Sequence, residues 1–284
     1  AGNLKDNPVR DDIEETADFI SVDFILNVAL DDHKRIAFAA AGHPVEAHRK
    51  ACAFLDKIYK KKVKKAADIV IVSTGGYPKD INLYQAQKSI DNVKHIVRKG
   101  GIMIVAASCR EGYGSDVFGK WINTYSTPRE RIEEIQKHFE LGGHKSAALA
   151  MVQENCDIYL VTDMEDKLVK KANMVPFHNL QQAVDAALTR MGEKAAVYVV
   201  PVGGSTLPVV ADYWRKMSIK KHGTLHGSVF FYVKSDQAEY WSSNYSSKKM
   251  PMAAEMAMYK TGCFLKRQSA YHIMTARRMH FQSK

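Results

Sequence analysis

Ile69-Val70-Ile71-Val72-Ser73-Thr74-Gly75-Gly76-Tyr77-Pro78-Lys79-Asp80-Ile81-Asn82-Leu83-Tyr84-Gln85-Ala86-Gln87-Lys88 decides the fold. A continuous β-branched apolar run predicts a strand buried on both faces. It stops at Gly75-Gly76, where the backbone needs positive φ or a close approach. Tyr77-Pro78-Lys79-Asp80 turns the chain, and a helical pattern starts behind Asn82. Strand, glycine turn and helix in this order place side chains and helix amides at the carboxyl edge of a parallel sheet. Gln85 and Lys88 are three residues apart and project from one helix face.

The same alternation continues downstream. Gly100-Gly101 precedes a strand over 102–107, and a short helix follows the 108–116 loop through Trp121. Thr127-Pro128-Arg129-Glu130 is a capping box with proline at N1, predicting a helix to Leu141. Gly142-Gly143 cuts it, and His144-Lys145-Ser146 opens another helix. A strand over 157–162, a helix over 179–190 and a strand over 195–202 complete the pattern. Regular strand–helix alternation predicts an α/β domain with a parallel, helix-covered sheet over residues 63–210.

Upstream, residues 1–62 read as the remnant of a second, mixed α/β domain. Asn7-Pro8 caps an acidic-started helix, and 23–30 and 35–40 read as a hairpin whose first strand is buried. Gly42-His43-Pro44 precedes a helix over 45–59. The lysines of 60–65 read as a solvated helix end or connector, with a phosphate-binding patch as the lesser alternative.

The net charge of +10 is unevenly placed: residues 211–284 hold 13 Lys+Arg against 4 Asp+Glu, leaving 28 against 27 for residues 1–210. The basic character is therefore that of the last segment, which also carries 7 of the 12 Met. It forms a basic extension of unassigned fold, with 229–233 a possible strand and 253–260 a possible helix. It has no recognised nucleic-acid motif, so a nucleic-acid partner is not expected. No apolar run reaches the roughly 20 residues of a membrane helix. Cys52, Cys109, Cys156 and Cys263 stand singly, against a zinc site or a disulfide scaffold and for free thiols in a reducing cytoplasm.

The chemistry-bearing residues each have a plain structural reading beside the functional one. Neither GxGxxG nor GxxxxGK[ST] is present, so no nucleotide-phosphate fingerprint is supported. Gln85 completes a possible capping box with Asn82, and Lys88 fits a solvated helix face. Arg110, at the end of the next strand, could hold a carboxylate bidentately or form a surface ion pair. His144 and Lys145 at a helix start could meet an anion or serve as capping residues. His43 and His48 lack the partners of a metal site and read as surface or core histidines.

The stretch 73–88, together with Asn7-Pro8-Val9-Arg10, Asn27-Val28, Ala41-Gly42-His43-Pro44 and Ala47-His48-Arg49, resembles nickel-dependent lactate racemases. The resemblance covers about residues 3–210, spanning the end of that family's N-terminal domain and its C-terminal domain. It implies an isomerase, a 2-hydroxyacid racemase or epimerase, that takes the α-hydride onto a nickel pincer nucleotide and returns it to the opposite face. It implies that Gln85 and Lys88 contact the substrate and that His144 and Lys145 approach the site. The family's proton-transfer histidines, cofactor-tethering lysine and nickel histidine precede the Asn-Pro-Val-Arg segment. No catalytic, cofactor-binding or metal residue is therefore expected in this chain, and the missing N-terminal domain is expected as its partner. The alternative is a non-catalytic module that binds small carboxylates and lacks the cofactor half.

Overall fold

The computed structural model describes residues 2–20, 22–31, 33–210 and the backbone of 231–233. Helix α1 (Pro8–Phe19) starts where the Asn7 side chain accepts from the Arg10 amide. Strands β1 (Ile25–Leu30) and β2 (Ile36–Gly42) form an antiparallel hairpin, and α2 (Pro44–Tyr59) packs on one face of it through Ala47 and Ala51. The expected buried strand is corrected here. Only Ala29 of β1 is buried, because its alternate residues face away from α2 with nothing over them among the described residues.

The lysine run is also corrected. Lys60–Val63 is a strand, β3, rather than a solvated connector, and it pairs in parallel with a distant partner described below. The central sheet begins with β4 (Ala67–Ser73). It continues through α3 (Leu83–Val93), β5 (Val97–Ala106), α4 (Asp116–Thr124), α5 (Pro128–Lys137), α6 (Gly143–Gln153) and β6 (Cys156–Val161). Then come α7 (Asp166–Lys171), β7 (Val175–Phe177), α8 (Leu180–Met191), β8 (Val197–Val200) and β9 (Leu207–Val210), the partner of β3. Helix α5 ends at Lys137, short of the expected Leu141, while its capping box is complete. Sequence patterning did not anticipate α7 and β7, whose six and three residues are too short to show a period.

The strand order is β10-β8-β4-β5-β6-β7, in which β8, β4, β5, β6 and β7 are parallel and β10 (Phe231–Val233) is antiparallel on β8. Alternation divides the strands between two cores. Val70, Val72, Met103, Val105, Ile158 and Leu160 share one cluster with Leu83, Ile90, Phe118 and Leu149 of α3, α4 and α6. Ile69, Ile71, Ile102, Ile104 and Val199 share the other with Leu180, Ala183 and Ala187 of α8. Strand β5 runs through the glycine pair rather than starting after it. A Cβ on Gly101 would stand 2.7 Å from the Asp68 carbonyl oxygen, so the adjoining strand requires glycine there.

Arg131 on α5 is fully buried without a carboxylate partner among the described residues. Its Nη2 donates to Gln153 of α6 and to Asn173 beyond α7, while Nε and Nη1 have no hydrogen-bond partner among the described residues. Burial pushes its pKa down to about 10. Residues 211–230 and 234–284, with the possible helix over 253–260, lie outside the described residues.

Candidate functional site

The loop from Thr74 to Asn82 crosses the carboxyl edge of the sheet between β4 and α3. Gly75 and Gly76 have φ of +96° and +77°, a backbone open to glycine at little cost. The loop after β5 then zips onto it. Cys109 N–H donates to the Asp80 carbonyl at 2.8 Å, and Glu111 N–H to that of Ile81 at 3.0 Å. Gly114 lies so close to Asn82 that a Cβ would stand 2.0 Å from its Cγ.

This zipper satisfies the start of α3. Leu83 and Tyr84 N–H donate to the Gly112 and Tyr113 carbonyls at 2.9 and 3.1 Å. Gln85 N–H donates to the Asn82 side chain at 3.0 Å, and Ala86 N–H to the Asn82 carbonyl at 3.0 Å. The expectation that helix amides would face a ligand at this edge therefore does not hold for α3. The Ala86 bond is the first of the helix itself, and the Leu83, Tyr84 and Gln85 N–H groups that the first turn leaves over all have protein partners, so an anion beside this turn is met chiefly by side chains.

Those side chains do converge. Lys88 Nζ donates to Gln85 Oε1 at 2.8 Å, one turn apart on α3. Lys145, from the first turn of α6, donates from Nζ to the Tyr84 carbonyl at 2.9 Å and lies 4.1 Å from the Tyr84 ring centroid. Burial first, then the neighbouring Lys88 ammonium, holds the Lys145 pKa below the usual lysine value. Neither ammonium forms an ion pair among the described residues. Lys88 is exposed, and Gln85 and Lys145 are half-buried. The array offers N–H donors and positive charge: the remaining protons of Lys88, the Gln85 amide and the Lys145 field.

His144 makes local contacts. Its Nδ1 accepts from the Gly142 amide at 3.1 Å, and its ring stacks on Phe139 with centroids 5.9 Å apart. The capping reading thus describes His144, and Gln85 does not complete the capping box with Asn82 because its side-chain oxygen accepts from Lys88. Sequence reasoning missed Tyr84. Its spacing of four from Lys88 was the available signal, but its contact with Lys145 depends on α6.

Two other places were candidates. Arg110 is 80% exposed and pairs with Asp163 at 3.3 Å, the surface ion pair. A cavity of about 230 Å³ between α1, β1 and α2 has Arg10, Glu14 and His48 on its wall. Its carboxylate is already bridged by Arg10 Nε and Arg49 Nη2, each at 2.7 Å.

A nickel cofactor is not accommodated by these residues. Ammonium groups are donors only, the Gln85 oxygen is engaged, and no three His, Cys, Asp or Glu side chains converge among the described residues. Cys52, Cys109 and Cys156 are free thiols, while Cys263 lies outside the described residues. Among the described residues no helix is long and apolar enough to cross a membrane.

Residues 62–208 match the family model described as the lactate racemase C-terminal domain. The chain is 32% identical over 216 residues to the lactate racemase of Thermoanaerobacterium thermosaccharolyticum, covering 72% of this chain and 49% of that protein. It is 29% identical over 207 residues to that of Lactiplantibacillus plantarum, covering 71% and 49%. The apoprotein structure of the Thermoanaerobacterium enzyme matches with a TM-score of 0.68 and 31% identity, over 73% of this chain and 50% of that one. A Thermotoga maritima structural-genomics protein shares the fold alone, at 18% identity and a TM-score of 0.54, over 72% and 54%. The chain spans about half the length of the curated relatives it matches. With its parallel helix-covered sheet and the match over residues 62–208, this chain belongs to the lactate racemase family, as a carrier of its C-terminal domain.

Proposed function

We propose that this chain is the carboxylate-holding part of a 2-hydroxyacid racemase or epimerase. Residues 63–210 are the substrate-side domain, and residues 1–62 close the cofactor-side domain. The observation that carries the reading is the meeting of Gln85, Lys88 and Lys145, with two ammonium groups and an amide and no carboxylate in an ion pair with either ammonium among the described residues. In this reading Lys88 and the Gln85 amide hold the substrate carboxylate, fixing the acid while its α-carbon inverts. Lys145 raises the local positive potential from behind. His144 braces its own turn beside the site. The nickel pincer nucleotide and the hydride chemistry implied by the family belong to polypeptide outside the described residues, and this chain's side chains bind and orient.

The test is racemisation of D- and L-2-hydroxy acids, followed by chiral chromatography. It uses this chain assembled with the cofactor-loaded N-terminal half of a relative. Lys88→Ala and Gln85→Ala should each lower kcat/KM by about 10- to 100-fold, the scale of losing a hydrogen bond to a charged group. Unchanged kcat/KM in Lys88→Ala removes Lys88 from the mechanism. Carboxylate binding by calorimetry without racemisation in the assembled protein favours the non-catalytic module instead.

A further inference from the structure

The strand order of the central sheet reverses between β4 and β8. From β4 the chain runs outward through β5, β6 and β7, then returns along α8 to lay β8 on the other side of β4. Open parallel sheets bind ligands outside the carboxyl ends of the strands that flank such a reversal. Those ends carry two glycine pairs here, Gly75-Gly76 after β4 and Gly203-Gly204 after β8. The stem of Lys79 lies against both. A Cβ on Gly75 would stand 3.6 Å from Lys79 Cδ and 3.6 Å from Val202 Cγ1, and one on Gly204 would stand 3.8 Å from Lys79 Cδ. Lys79 is exposed, and its ammonium has no partner among the described residues. Gly204 is exposed too. Its φ is not positive and a Cβ there meets nothing closer than 3.8 Å, so the fold itself makes no demand for glycine. Bare backbone without a steric reason leaves room for a ligand to approach.

This place adjoins the Gln85–Lys88 pair. Ser89 follows Lys88 on α3, and its hydroxyl would stand 3.8 Å from the same Gly204 Cβ that meets the Lys79 stem. Asn92, one turn beyond Lys88, donates from Nδ2 to the Gly203 carbonyl at 2.9 Å and holds the 203–204 loop against that face of α3. Gln85, Lys88 and Asn92 are three and four residues apart, so one helix face leads from the amide and ammonium to the loop beside Lys79. We propose that Lys79 is a second anion contact of this site, and that its ligand is a 2-hydroxy acid with a second anionic group at its far end. The proposal rests on the carboxylate-holding reading for the end that Gln85 and Lys88 take. A monocarboxylate would engage Lys88 and leave the Lys79 ammonium unmet, whereas a small dianion engages both. An ammonium only donates, so a metal ion is not the occupant. A polyanion is not favoured either, because residues 1–210 hold 28 Lys+Arg against 27 Asp+Glu and supply no basic stripe.

The experiment titrates the 284-residue chain with lactate, malate and 2-hydroxy-3-phosphopropanoate, read by calorimetry and by glycine-selective nitrogen-15 NMR. At least one of the two acids with a second anionic group should bind about three- to fivefold more tightly than lactate at low salt, the scale of one exposed charge pair. Whichever does so identifies the far group as a carboxylate or a phosphate. It should also shift the Gly75, Gly76 and Gly204 amides, which lactate leaves in place. Lys79→Gln should abolish the gain and these shifts without changing lactate affinity, and Lys79→Arg should keep them. Equal affinity for all three acids overturns the proposal. So does a Lys79→Gln variant that weakens lactate as much as the other two, or a chain that binds none of them. A Lys79-dependent gain in a chain that racemises no acid, even when assembled with a cofactor-loaded N-terminal half, leaves the anion contact standing and defeats the racemase reading. Racemisation of lactate by that assembly, with Lys79→Gln neutral towards every acid, does the reverse.

Discussion

The Lys145 ammonium is held between the carbonyl oxygen of Tyr84, 2.9 Å away, and the Tyr84 ring, 4.1 Å to its centroid. One side chain of α6 thereby fixes the first turn of α3, the turn that carries Gln85 and leads into Lys88. The ammonium is brought close to Lys88 at an electrostatic cost that the carbonyl and the ring offset.

Lys145→Met keeps the stem but removes the charge. It should destabilise the protein by at most about 1–2 kcal/mol, the combined scale of a charged hydrogen bond and a cation–π contact less the burial cost and the repulsion that the change relieves. Urea denaturation monitored by tryptophan fluorescence reads this directly. The folded pKa of Lys145 lies below its unfolded value, so the ammonium is disfavoured in the fold at neutral pH. Wild type should therefore gain on Lys145→Met as pH rises through the folded pKa towards 10.5.

Lys88→Ala should raise the Lys145 pKa towards the ordinary lysine value, because Lys88 is the second cause of its depression after burial. Heteronuclear NMR of the Lys145 side chain over an alkaline titration measures the shift. An unmoved titration would mean that the two ammonium groups do not share a field.

Gly114→Ala should cost about 2–4 kcal/mol and loosen the site. Its φ is +75°, and the new methyl would collide with the Asn82 side chain that caps α3. Hydrogen exchange at the Gln85 and Tyr84 amides should quicken beyond that expected from the global loss. By contrast, Gly112→Ala meets no atom within 4 Å and should show only the cost of its positive φ of 62°.

Two histidines should titrate in opposite directions. His178 is raised by its contact with the Thr162 carbonyl and by Asp166, at 2.9 and 3.0 Å. Its contribution is complete below the unfolded value of 6.5 and is lost as pH rises through the folded pKa. His48 is lowered by burial first and by Arg10 next, so its contribution is present above 6.5 and falls as pH drops towards the folded pKa. Imidazole proton NMR should place His178 above and His48 below 6.5, and Asp166→Asn should bring His178 down.

Local chemistry made much of the fold readable. The β-branched run of β4 could only be a strand covered on both faces, and Thr127 with Glu130 announced α5 through a cap whose partners lie within four residues. Errors arose where the deciding partner was distant. Lys60–Val63 carries four residues of strand solely because Leu207–Val210 lies beside it. The Leu26–Val28–Leu30 series reads as buried by composition, yet burial depends on the layer that covers it.

The candidate site divides in the same way. Spacing alone put Gln85 and Lys88 on one helical face, since a turn of α-helix returns to the same side every three to four residues. The sequence by itself therefore determined the strand–turn–helix unit, the parallel sheet and the pairing of those two side chains. Only the tertiary structure decided that Lys145 reaches the first turn of α3 and that His144 meets the Gly142 amide and the Phe139 ring. It also decided that the Leu83 and Tyr84 amides are taken by the 112–113 carbonyls. The physical reason is range: capping, periodicity and backbone freedom act over a few residues. The docking of the 108–114 loop and of α6 onto α3 is fixed by packing between segments tens of residues apart, which no local pattern encodes.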